Sequence, residues 1–498
     1  MKRFLLCFLS VFLAASCEQE MTQEQKPVEE ADRLGQPLSE FSFLKIHNES
    51  AVYEDISVGV KDSSALFETP LISSPHLVAS FDSHGAEVYV DGVKQISGVT
   101  VNDFSKPLTY VVKGSLEYSF VVEVRYSGLP VVFVETPDRS EIPSKFEDWL
   151  SDTRIKVYNP DWSVDLDMTT GIRGRGNSTW AYPKKPYALK LDSKSKVLGM
   201  REHKRWVLLA NWMDRTLLRN AVSFRLSEMT ALDYTPRGQF VELILNGEHM
   251  GNYYLCEHIK VDENRVNIDE LDSSETDGGY LMELDIYYDE INKFMSKHRN
   301  FPYMFKDPDE VSASQFGFLQ DYVNNLEDAL YDDLRFEKRD YQEYIDVDSF
   351  IEWWFVMELS NNWEPCHPKS VYMHKDKGGK LTMGPVWDFD WGTFTRYDGY
   401  VIYNSLYYER LFSDVSFRTR VKELWNQYEA DFRNLPAYII SEAERIRNSE
   451  YFNHEMWPID QEVNKDEDMT FDQAVAAMIS SYEHKLEWLD GQISNLIQ

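Results

Sequence analysis

The sequence predicts a multidomain protein in which a small all-β sandwich precedes an α+β domain that ends in a helical region. Three observations carry that expectation. Between residues 39 and 128, β-branched and aromatic runs such as Val88-Tyr-Val90, Tyr110-Val-Val112 and Tyr118-Ser-Phe-Val-Val-Glu-Val124 are separated by turn clusters at Ser83-His-Gly85 and Asp91-Gly92. Short strands at that spacing make a β-sandwich. From Leu129 to about Phe432, strand patterns mix with helical apolar spacing at residues 216–230 and 347–360. Residues 416–498 are helix-rich, with Pro436 and Pro458 as breaks, so 433–498 reads as a C-terminal helical cap.

Composition bounds the function. The 498 residues carry 51 basic and 84 acidic side chains, a net charge of −33, with 43% hydrophobic content. A chain of this length buries a substantial core and has room for two or three domains. The acidic balance argues against nucleic acid as a partner, because that partner requires a basic footprint. It also disfavours direct attraction to anionic lipid.

The N-terminus supplies a different route to a membrane. Met1-Lys-Arg3 is a basic start, and Phe4 to Leu13 is an apolar run too short to span a bilayer. Ala14-Ala-Ser-Cys17 resembles the end of a bacterial lipoprotein signal, which implies that Cys17 is lipidated and begins the mature chain. Glu18-Gln-Glu20 resembles the export tag of surface lipoproteins in Bacteroidetes-type bacteria, implying an outer-membrane anchor and exposure at the cell surface. Simple secretion with cleavage after a small residue is the other reading. Residues 18–38 are polar and poor in aromatics, a disordered tether. The stretch Ser97 to Tyr110 looks like the immunoglobulin-like domains that precede catalytic modules in such proteins. Cys256 and Cys366 either pair or remain buried thiols.

Within the α+β domain, Val241 to Leu245, then Asn246-Gly247, then Tyr253 to Glu257 is a hairpin with a tight primed turn. Gly171-Ile-Arg-Gly174-Arg-Gly176-Asn-Ser-Thr-Trp180 combines glycines, arginines and hydroxyls, either a cradle for anionic oxygens or a basic turn. In Lys184 to Asp192, Tyr187, Leu189 and Leu191 form an apolar stripe and Lys190 takes the opposite face. Asn211, Asp214, Arg219 and Asn220 cluster around a helix start, and Gly278 to Asp285 follows the hairpin. A helix at 347–360 then enters the polar loop Asn361 to Lys369, and a hairpin leads to Gly384-Pro-Val-Trp-Asp-Phe-Asp-Trp-Gly392. If that last run is a strand, Asp388 and Asp390 point together while Trp387, Phe389 and Trp391 anchor the other face. The acid pair is then either a divalent-cation site or the wet face of a half-buried strand.

Taken in order, these motifs resemble the CotH kinase family over roughly residues 130–430. The resemblance implies an atypical protein-kinase-like fold that binds ATP with Mg²⁺ and phosphorylates serine on protein substrates. Arg173, Arg175 and Asn177 would lie near the nucleotide phosphates, Lys190 would be the strand lysine that contacts them, and Glu257 would be its ion-pair partner. Asp388 and Asp390 would hold the metal. The family's loop commonly reads Asn-x-Asp, with the Asp as base, whereas this chain has Asn362-Trp-Glu364. Glu364 is one methylene longer, and Cys366 and His367 stand nearby as other acid–base or metal groups. Lys369 or Ser370 stands where a kinase often has a metal-binding Asn. The expected function is a surface lipoprotein that phosphorylates exported protein. The alternative is a catalytically weak relative acting as a surface adhesin. The 13 Trp and 29 Tyr permit sugar stacking, but no spacing identifies a glycosidase acid pair.

Overall fold

The computed structural model describes residues 38–58, 64–272, 274–461 and 463–497. The signal segment, Cys17 and the tether up to residue 37 lie outside the described residues. The chain divides into two units, the first comprising Met1–Phe67 with Pro75–Val124 and the second Glu68–Ser74 with Arg125–Gln498. Among the described residues, no helix is long and apolar enough to cross a membrane.

The first unit is all-β. Its largest sheet runs in the order Ser64–Thr69, Glu117–Tyr126, Leu108–Lys113, Glu87–Val90, Val93–Gln95. A three-stranded sheet centred on Ser39–Phe43 and a two-stranded pair accompany it. Alternation decides which side chains go inward: in Leu108–Lys113, Leu108, Tyr110 and Val112 are buried and the residues between them are not. Phe41 meets Tyr110 and Phe120 edge-on at 5.2 and 5.7 Å, and Phe43 lies 4.7 Å from Phe67. Those aromatic pairs form the core.

The second unit begins with a closed seven-stranded barrel. Its strands run in the order Val131–Glu135, Leu150–Tyr158, Val164–Gly174, Tyr187–Ser195, His203–Leu209, Glu248–Glu257, Gly238–Leu245. Val131–Glu135 pairs in parallel with Gly238–Leu245 to close it. The Asn246-Gly247 hairpin forms as expected, with φ of 53° and 83° at those residues. Ile172, Leu189, Leu191, Trp206, Leu208, Tyr253 and Leu255 pack together in one buried cluster. Strand alternation therefore turns Arg173, Ala188, Lys190, Arg205, Val207 and Cys256 to the barrel's outer face.

A five-stranded sheet follows, in the order Lys293–Met295, Pro302–Asp307, Tyr280–Leu284, Val371–Lys375, Leu381–Met383. Val347–Leu359 packs on Leu381–Met383 of this sheet, Leu435–Met456 packs on the barrel strand Glu248–Glu257, and Arg219–Glu228, Ala313–Tyr331, Val415–Phe432 and Phe471–Ser494 complete the helical region. Ser312 with Gln315, and Thr470 with Gln473, form capping boxes that fix two helix starts. Val347–Leu359 is nearly all buried, which explains its uniformly apolar sequence. Pro436 lies in the first turn of Leu435–Met456, where its missing N–H costs nothing. Cys256 and Cys366 are free thiols, and burial pushes Cys256 up to about 12.

Candidate functional site

A cavity of about 800 Å³ opens between the outer face of the barrel and the five-stranded sheet. Arg173, Arg175, Asn177, Lys190, Glu364, Asp388 and Asp390 all line it. These residues come from segments up to 217 positions apart, from Arg173 to Asp390.

The two aspartates converge, but not as a strand. Residues 384–390 form no ladder, and Asp388 takes a left-handed φ of 67°. Trp387 and Phe389 are buried, whereas Trp391 is 43% exposed and lines the cavity, so it is no core anchor. The loop is held by long-range hydrogen bonds instead. The Phe389 amide donates to Asn220 Oδ1 at 3.1 Å, and Asn220 Nδ2 donates to Asn211 Oδ1 at 3.1 Å. Asn464 donates to the Asp390 carbonyl at 3.0 Å and accepts from the Gly392 amide at 2.6 Å. Arg219, paired with both Asp214 and Asp466, donates to the Thr393 carbonyl at 3.0 Å. Sequence reasoning placed Asn211, Asp214, Arg219 and Asn220 in one group without giving them this task, and it missed Asn464 and Asp466.

Glu364 sits in a short 3₁₀ turn, Glu364–Cys366, and is buried. Its amide donates to Asn362 Oδ1 at 3.1 Å, and Asn362 Nδ2 donates to the Asp388 carbonyl at 3.3 Å, tying the two loops together. Lys369 Nζ donates to Glu364 Oε1 at 3.1 Å, while Oε2 is buried with no hydrogen-bond partner. Ser370 Oγ donates to Asp388 Oδ2 at 3.1 Å, and its amide to Asp285 Oδ2 at 3.3 Å. Burial first, and then the Asp388 charge, push both Glu364 and Asp390 well above the usual carboxylate range.

Those observations test a metal. Among the described residues, no group of three or more His, Cys, Asp or Glu side chains has metal-holding spacing. Two aspartates suit Mg²⁺, which takes one or two carboxylates and fills its shell with phosphate oxygens and water. The crowded acids and the orphaned Oε2 of Glu364 are what a cation would relieve. The donor chemistry at Asp388 and Asp390 is compatible with a divalent ion whose remaining ligands come from other oxygens.

The cationic wall is equally distinct. Gly176 has φ of +82°, and a Cβ there would stand 1.9 Å from Thr179 Oγ1, so the Arg175–Thr179 turn requires glycine. Lys145 donates to Asn177 and Asp289, which fastens the turn to the loop opposite. Arg175 lies 5.2 Å over the Trp387 ring, next to the acid loop.

Glu257 is a correction. It is 0% exposed, and its carboxylate accepts from Arg201, Tyr234 and the Arg237 amide and stands 3.4 Å from Arg265. It is not the partner of Lys190, because it shares strand parity with Leu255 inside the barrel. The next residue, His258, lines the cavity, as do Arg205 and Lys260, which sequence reasoning did not assign.

An acid-bearing loop and a cationic strand face thus line one cavity. The chain belongs to the CotH kinase protein family, whose model matches residues 172–489. Kinases of this family in general use ATP and a divalent metal. A search of curated proteins found no match.

Proposed function

We propose that this chain transfers the terminal phosphoryl group of ATP to a serine hydroxyl of an exported protein. The observation that supports this reading is one cavity lined by three carboxylates, Glu364, Asp388 and Asp390, and by Arg173, Arg175 and Lys190, which among the described residues have no ion-pair partner. Phosphoryl transfer asks little more of a protein than positioning and charge neutralisation. Arg173, Arg175, Asn177 and Lys190 hold the phosphates. Asp388 and Asp390 would hold Mg²⁺, which would neutralise charge on the phosphate oxygens. Glu364 accepts the serine proton. The serine Oγ–P bond forms as the bond to the β,γ-bridging oxygen breaks, and ADP leaves. The lipoprotein-like N-terminus supports an exported substrate and a Cys17 anchor at the outer membrane.

The test is Mg²⁺-dependent transfer of labelled phosphate from ATP to protein by the purified chain. Glu364→Gln should lower transfer by roughly 100-fold or more while leaving Mg-ATP binding intact. Asp390→Asn should abolish Mg²⁺-dependent binding. Absence of transfer in the wild type under every metal condition would sink the reading. The Lys369–Glu364 ion pair favours one second reading, a surface binding protein that holds nucleotide without turnover.

A further inference from the structure

The wall opposite the acids is set by strand register. Lys190 stands directly across from Arg205. Trp206 pairs with Glu257, so Arg205 stands across from His258. Arg173 lies two residues along from Gly171, the partner of Lys190 on the next strand. All four side chains share the barrel's outer face and line the cavity.

Like charges directly opposite each other weaken a sheet. Lys190 and Arg205 are placed that way, and among the described residues neither has a carboxylate within ion-pair distance, although the chain carries 84 acids. Neighbouring cations on the same cavity are neutralised: Lys306 by Glu283 and Glu290, Lys145 by Asp289. Arg205 Nε and His258 Nδ1 are buried with no hydrogen-bond partner. Trp149 explains how the guanidiniums are kept in place. Its ring lies 4.4 Å from Arg173 and 4.6 Å from Arg205, over Gly171, where an added Cβ would meet it at 3.4 Å. Stacking occupies the guanidinium faces and leaves their N–H edges free. Lys190 and His258 are separated by two interstrand spacings of about 4.8 Å each, wider than one phosphate group and suited to linked ones.

We propose that Arg205 and His258 complete, with Arg173 and Lys190, a receptor for a condensed phosphate chain, with Arg205 as its principal determinant. The ligand class is the polyphosphate tail of a nucleotide or free tripolyphosphate. The assignment rests on the phosphoryl-transfer reading only for the nucleotide, since the receptor itself needs no metal. Burial and the surrounding cations hold His258 well below the usual imidazole range, so it contributes an N–H without a charge.

Calorimetry on the full chain tests this with tripolyphosphate plus a chelator, with adenosine, and with Mg-ATP. Tripolyphosphate should bind the wild type without metal, and Arg205→Gln should weaken it at least tenfold. Arg205→Lys should recover part of the loss. If Arg205→Gln misfolds by circular dichroism, His258→Asn serves instead, with an expected loss of threefold or more. Unchanged tripolyphosphate affinity in a folded Arg205 or His258 variant overturns the proposal. So does loss of adenosine binding in Arg205→Gln, which would make the row a nucleoside site. Arg205-dependent tripolyphosphate binding without any phosphoryl transfer would sustain the receptor while defeating the kinase reading.

Discussion

Asn220 offers the sharpest test of how the acid loop is held. It is 3% exposed and stands in the first turn of Arg219–Glu228. Its side chain makes two hydrogen bonds of 3.1 Å, accepting from the Phe389 amide and donating to Asn211 Oδ1. Asn220→Leu keeps the volume but leaves a buried N–H and a buried carbonyl oxygen unpaired. Each such group costs about 1–3 kcal/mol, so the pair costs roughly 2–5 kcal/mol after partial relaxation. Asn220→Asp keeps the acceptor for Phe389 but turns an oxygen toward Asn211 Oδ1 and adds a charge beside three acids. It should be destabilised at neutral pH by a comparable amount. Urea denaturation monitored by tryptophan fluorescence reads both, and Mg-ATP affinity on the folded fraction reads the loop. The positional argument requires Asn220→Leu to weaken Mg-ATP binding as well as the fold. A loss of stability below ~0.5 kcal/mol, which is within surface-mutation scatter, would refute it.

Three further outcomes follow. Glu364 and Asp390 have folded proton affinities raised above their unfolded values, so the protonated forms favour the folded state. Metal-free stability should therefore be greatest below the unfolded Glu value of 4.5 and fall as pH rises toward about 8. Thermal melts across that window should flatten in Glu364→Gln and in excess Mg²⁺, and an unchanged slope in both would contradict the crowding. Gly176→Ala places a Cβ against Thr179 Oγ1 at a positive φ and should cost about 1–3 kcal/mol, part of it recovered in the double variant with Thr179→Ala. Glu257→Gln should destabilise the barrel by about 3 kcal/mol or more by leaving Arg201 and Arg265 unbalanced in the interior, with nucleotide affinity of the folded protein unchanged, because its carboxylate does not reach the cavity.

Local chemistry was legible in the sequence; parity and distant anchors were less so. The Asn246-Gly247 turn needs only its own two residues to accept a positive φ, so it could be read directly. The stripe Tyr187, Leu189, Leu191 was likewise readable, and it put Lys190 on the correct face. Glu257 failed by one residue. A strand reverses its side chains at every step, so Glu257 points to the arginines at the barrel's end while His258 reaches the cavity. The register that decides this, Trp206 to Glu257, joins strands some 50 residues apart, and no local pattern contains it. Asp388 and Asp390 do share one space, but through a left-handed residue and an asparagine 169 positions away rather than through alternation.

The segment between the last two long helices shows why residues 433–498 matter to that site. In sequence they read as a cap with no chemistry of their own. In the fold, Asn464 binds the Met213 carbonyl at 2.7 Å and the Asp390 carbonyl at 3.0 Å, joining the approach to Arg219–Glu228 to the acid loop. Asp466 takes Arg219 at 2.7 Å, so the guanidinium that holds the Thr393 carbonyl is itself balanced by two acids, one of them from the cap. Further along, Asn453 accepts from the buried Lys184 ammonium at 2.6 Å, beside the carbonyls of Ala210 and Asn252. Three N–H donors thus meet three acceptors, which offsets part of the burial cost that lowers the Lys184 ammonium to about 7. These contacts make the helical region a support for the loops that line the cavity, and the family match continues through it to residue 489. A pair of aspartates on an irregular loop has little rigidity of its own, and polar side chains from the C-terminal segment, together with Arg219 and Asn220, supply it here.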